Sequence, residues 1–106
     1  MKRLKLPKPT DAELALLQVL WERGPSTVRE VWEQTGLKQR TGYTTVLKTL
    51  QIMFEKGLVK RDEAERSHVY EATLNEDETQ RQVLGHVLDG VFAGSSSKLV
   101  MQALAA

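Results

Sequence analysis

The 106-residue sequence contains no cysteine, which excludes disulfides and thiolate metal sites and fits a reducing compartment. It has no uninterrupted apolar run of about 18 residues, so nothing in it reads as a membrane span. The basic start "MKRLKLPKP" runs into Pro7 and Pro9 rather than an apolar core, so no secretory signal is expected and the default location is the cytoplasm. No nucleophile–base set, paired carboxylates or phosphate-cradling glycine loop is visible, so neither enzymatic chemistry nor a cofactor is expected. The two histidines, His68 and His86, lack the companion ligands that a metal site would need. Internal repeats and low-complexity segments are also absent.

What remains is an ordinary soluble composition, 41% hydrophobic and 27% charged, enough for one modest core. The net charge of +1 is unevenly placed. Residues 1–74 are mildly basic and residues 75–106 are mildly acidic, and Lys2, Arg3, Lys5 and Lys8 crowd the start. A basic front with an acidic rear suits a polyanion-binding head joined to something else.

Two helix starts are marked by reciprocal capping boxes, Thr10 with Glu13 and Thr27 with Glu30. The first helix carries Leu14, Leu17, Leu20 and Trp21 at helical spacing and stops at Gly24-Pro25. The second is little more than two turns long, with Val28, Val31 and Trp32 inward and Gly36 past its end. After the short connection "GLKQR", a third helix is expected over 41–56, ended by Gly57. At ~100° per residue, Val46, Leu50, Met53 and Phe54 share one side with Tyr43, and Thr41, Thr44, Thr45, Lys48 and Ile52 share the other. The head core is accordingly expected to include Trp21, Val31, Trp32, Leu50 and Phe54.

The period then changes. "LVKR" and "SHVYEATL", separated by a short acidic loop, read as a β-hairpin. Helix returns after Asn75 or Asp77, with Val83, Leu84, Val87, Leu88, Val91 and Phe92 in a narrow apolar seam. "AGSSS" breaks it and caps a last helix bearing Leu99, Val100 and Leu104. The seam is too apolar for an exposed helix and is expected to face a second subunit.

Three helices followed by a hairpin predict a mainly α, α+β chain: a winged helix-turn-helix domain over 1–74 and C-terminal dimerisation helices over 75–106. In such a domain the third helix is offered to the DNA major groove. Threonine hydroxyls suit base edges and phosphates, their methyls suit thymine, and Lys48 can reach guanine or phosphate. On the hairpin Arg61, Arg66 and His68 could meet phosphate. Asp62, Glu63 and Glu65 at its tip oppose that, so only the Arg66 side is expected to approach DNA.

"ELALLQVLWERGPSTVREVWE", "YTTVLKTLQIMFEKGLVKR" and "FAGSSSKLVMQAL" together resemble the BlaI/MecI/CopY family of penicillinase-type transcriptional repressors over about residues 10–104. The resemblance implies a dimeric bacterial repressor on an inverted-repeat operator of TACA and TGTA half-sites. It makes residues 41–56 the recognition helix, with Thr44, Thr45 and Lys48 reading and Arg40, Thr41 and Tyr43 at or near phosphate; Tyr43 divides evenly between that role and the core. It further implies a regulatory protease or another signal protein as partner. The chain departs from the family pattern in three places. Copper-responsive members carry C-terminal cysteines absent here, the Asn-Phe cleavage bond of antibiotic-responsive members reads Gln102-Ala103, and Ala106 is an early end, expected of either a truncated chain or a short relative. A winged-helix protein–protein module and a transcriptional activator stay open as alternatives.

Overall fold

The computed structural model describes residues 6–36 and 40–106. Lys2, Arg3 and Lys5, and most of the "GLKQR" connection, lie outside them. The chain runs α1 (Asp11–Arg23), β1 (Ser26–Thr27), α2 (Val28–Val31), a single π-helical turn (Trp32–Gly36), α3 (Tyr43–Lys56), β2 (Val59–Asp62), β3 (Val69–Ala72), α4 (Glu76–Val91) and α5 (Ser96–Ala105).

The helix starts follow the capping chemistry. Thr10 Oγ1 accepts the Glu13 amide at 3.2 Å and the Glu13 carboxylate accepts the Thr10 amide at 2.9 Å. Thr27 and Glu30 repeat the exchange at α2, and Asn75 and Glu78 at α4, which settles Asn75 rather than Asp77 as that cap. Gly24 ends α1 with φ 85° and Gly57 ends α3 with φ 82°, conformations that a side chain disfavours.

The hairpin β2–β3 pairs antiparallel with Arg61 opposite Tyr70. A third strand joins it: Ser26 and Thr27 pair with Tyr70 and Val69, giving the order β1-β3-β2. The sheet thus reaches back to the start of α2, and the wing is tied to the helical head through β1.

The core is built from Leu16, Leu17 and Leu20 of α1, Val28 and Val31 of α2, Val46, Leu50 and Met53 of α3, and Leu58, Val59 and Tyr70. The expectation for Phe54 fails: it is 38% exposed at the edge of the core. Trp21 and Trp32 are half-buried, because each turns its indole N–H toward a backbone carbonyl at the rim, Trp21 to Leu74 and Trp32 to Thr41, both at 2.9 Å. Helix α3 starts two residues later than expected, since Gly42 takes the extended N-cap position and leaves Thr41 before the helix.

Only Thr79 of α4 is buried and no residue of α5. The radius of gyration, 15.8 Å, exceeds the ~13 Å expected of a compact chain of this length, because these helices project from the head.

Candidate nucleic-acid interface

Helix α3 is held from behind and bare in front. Val46, Leu50 and Met53 anchor its inner side, while Thr44, Thr45, Lys48 and Ile52 are exposed on the outer. No acidic residue occupies its first turn, where helices ordinarily gain from one. A helix N-terminus left without an acid, beside hydroxyls and an unpaired lysine, is a surface suited to an anion. Among the described residues Lys48 takes part in no ion pair.

The approach to α3 is shaped by Arg40, Thr41 and Tyr43. Arg40 takes the left-handed backbone region at φ 54° and is exposed. Thr41 is half-buried, and its carbonyl receives the Trp32 indole N–H, which fixes where the helix begins. Tyr43 is 45% exposed and its ring stands edge-on to Trp32, centroids 6.0 Å apart at 76°. One part of the Tyr43 side chain therefore packs and the other faces outward, which is why its sequence position divided between two roles.

Beside α3 a cleft of about 300 Å³ separates it from the wing. Arg66 and His68 line it together with Tyr43, Thr27, Arg29, Leu47 and Gln51. Arg29 and Gln51 were missed in the sequence; Arg29 sits at α2 in a pair with Glu33 that reads as an ordinary surface ion pair. The loop between the strands keeps two of its three acids occupied. Asp62 accepts the Ala64 amide at 2.9 Å, and Glu63 pairs with Arg61. Glu65 and Arg66 are both exposed, so the cation lies on the side of the loop that borders the cleft.

The two histidines face different neighbours: His68 borders this cleft, and His86 Nε2 on α4 lies 3.4 Å from the Leu6 carbonyl. No group of three His, Cys, Asp or Glu side chains among the described residues is arranged to hold a metal.

The residues expected at a dimer interface fall on two sides. Val83 and Val87, with Leu84 at the rim, line a second cleft of about 310 Å³ against Leu14 and Trp21 of α1. Leu84, Val91, Val100 and Leu104 are exposed by 50%, 76%, 54% and 80%. Leu88, Phe92 and Leu99 are half-buried between these extremes. None of the described helices is long and apolar enough to cross a membrane.

Comparison with known proteins adds three findings. The profile of the penicillinase repressor family matches residues 9–106. The chain is 34% identical over 94 residues to the transcriptional regulator BlaI of two Mycobacterium tuberculosis strains, covering 88% of this chain and 66% of theirs. It therefore spans just under two thirds of the length of these relatives. In three dimensions it resembles a MarR family protein from Bacillus stearothermophilus, with a TM-score of 0.56 and 22% identity over 93% of this chain and 71% of that one. At that identity the likeness speaks for a shared fold alone.

Proposed function

The chain belongs to the penicillinase repressor family, and we propose that it acts as a transcriptional repressor, binding an inverted-repeat operator of TACA and TGTA half-sites as a homodimer. The observation that carries this reading is the outer face of α3. Thr44, Thr45 and Lys48 stand free of the core and of any acid in the first turn, on a rigid helix of 14 residues. A helix of that length spans about 21 Å, enough to lie in a major groove and present its first turns to base edges.

Each side chain has a distinct task. Thr45 combines a hydroxyl and a methyl and reads a base pair, with Thr44 beside it. Lys48, one turn on, meets phosphate or guanine. Arg40, Thr41 and Tyr43 hold the phosphate backbone at the start of α3, and Arg66 and His68 hold it from the wing. The exposed Leu84, Val91, Val100 and Leu104, with Leu88, Phe92 and Leu99, close against a second subunit and bring two heads onto one DNA face. Val83 and Val87, which line the cleft beside α1, border that interface. Release of DNA is assigned to a protease or another signal protein, and Gln102-Ala103 at the matching place lacks the Asn-Phe bond that the family's protease cuts.

The test is binding to a duplex carrying the inverted repeat and to a scrambled duplex of equal length, titrated with salt. Repression of this type predicts tight binding to the repeat, weaker binding to the scrambled duplex, and a steep loss of both with salt. Salt-insensitive or absent binding would favour a protein–protein module. In a transcription assay, binding at the repeat must lower expression; a rise would mark an activator.

A further inference from the structure

Arg61 is a cation on the wing, yet most of its side chain is covered where it borders the cleft. Its guanidinium carbon stands 4.0 Å from the centroid of the Phe54 ring, on the last turns of α3. One terminal nitrogen pairs with Glu63 at the loop, and Tyr70 faces it across the strand pair. Its side chain is only 20% exposed, and Nε is buried without an acceptor among the described residues. The group is thus held by its face and by one terminal nitrogen. Hydrogen bonding to Tyr70, then to Glu63, keeps its proton bound more firmly than in a free arginine, against the opposing effect of burial.

We propose that Arg61 is a positioning residue, clasping the wing to α3 through Phe54 and so fixing the angle between the Arg66 loop and the Thr45–Lys48 face. Phe54 and Thr45 belong to one rigid helix, and Arg61 and Arg66 to one hairpin. A contact at Phe54 therefore sets where Arg66 stands relative to the groove-reading residues. One face of the Phe54 ring is thus the seat of the guanidinium, and the ring as a whole stays 38% exposed at the edge of the core. The inference rests on the DNA-binding reading above, and it assigns Arg61 no contact with DNA.

Arg61→Met, Arg61→Lys and Phe54→Leu, each checked for an unchanged thermal transition of the helical head, form the test. In the free protein, amide exchange over residues 62–68 should quicken in Arg61→Met while α1 and α3 keep their protection. Affinity for the inverted-repeat duplex should fall about tenfold, the scale of a desolvated cation–π contact. The slope of affinity against salt should stay as in the unmodified protein. Arg61→Lys should recover part of the loss, and Arg61→Met with Phe54→Leu should be no worse than Arg61→Met alone. Loss of about 0.9 in the salt slope would make Arg61 a phosphate contact and overturn the proposal. Unchanged wing exchange would overturn it too, whatever the protein does with DNA. Failure of the unmodified protein to bind either duplex would instead refute the DNA-binding reading, and the exchange measurement would still judge the clasp.

Discussion

Glu13 is 3% exposed and sits between Thr10 and Lys56. Burial raises its pKa, but the Thr10 amide and the Lys56 ammonium, 2.9 Å from Oε2, together lower it below its ordinary 4.5. A depressed folded pKa contributes stability that is complete above the unfolded value and is lost as pH falls through the folded one. Stability of the unmodified head should therefore decline on acidification below about pH 4.5, and less so in Glu13→Gln. Lys56→Met leaves a buried carboxylate without its cation. Breaking a buried pair costs about 3–5 kcal/mol, but Lys56 is 33% exposed and water partly replaces it. About 1–3 kcal/mol is expected, measured by urea unfolding at neutral pH. On the outer face, Thr45→Ala should relax preference at one operator position by about 1–3 kcal/mol, whereas Lys48→Ala should weaken repeat and scrambled duplexes alike and flatten the salt slope by about one. Equal losses on both duplexes for Thr45→Ala would remove it from base reading.

At the scale of elements, α3 depends on what fixes its ends. Gly57 closes one end, with the Leu6 side chain 3.1 Å from where a Cβ would stand. The Trp32 indole holds Thr41 at the other. Trp32→Phe should keep the apolar packing but leave the Thr41 carbonyl without that donor. A loss of about 1 kcal/mol in stability is expected, with weaker binding to both duplexes as Arg40 and Thr41 shift. Melting and binding on one preparation check it; unchanged binding would detach the start of α3 from the interface.

The elements were largely legible beforehand, because capping boxes and apolar spacing are local signals. Thr10–Glu13 and Thr27–Glu30 fall at helix starts as read, whereas the third box, Asn75–Glu78, was read only as a cap at Asn75 or Asp77. Strand β1 was not legible, since two residues carry no period and Ser26-Thr27 also reads as the approach to a helix. Phe54 was misplaced for a similar reason. Its angle on α3 agrees with the core, but the guanidinium that takes one face of the ring comes from another element, and helical angle alone cannot locate it. Of the interface, the outward face of α3 could be read from spacing, whereas Arg29 and Gln51 enter the wing cleft only through tertiary packing.

For the whole molecule, the question is what covers α4 and α5. The sequence shows one apolar stripe on α4 but not how it divides. In the structure Val83 and Val87 turn toward α1, while Val91 points away, as Val100 and Leu104 do on α5. Burying each Leu or Val against a second copy would contribute about 1.5–3 kcal/mol, so Leu88→Asp should dissociate the proposed dimer and leave the head folded. Operator affinity should then collapse, because two weakly bound heads lose their linkage. Retention of operator affinity by a monomeric Leu88→Asp protein would break that link.

The central claim is a two-fold pair of heads reading a two-fold site. Sedimentation of the unmodified protein at micromolar concentration, alone and with the inverted-repeat duplex, tests it most directly. The account predicts a dimer in the absence of DNA and two protomers on each duplex, with half-sites about one helical turn apart and a single half-site held far more weakly. A monomer that binds one half-site as tightly as the full repeat would contradict it.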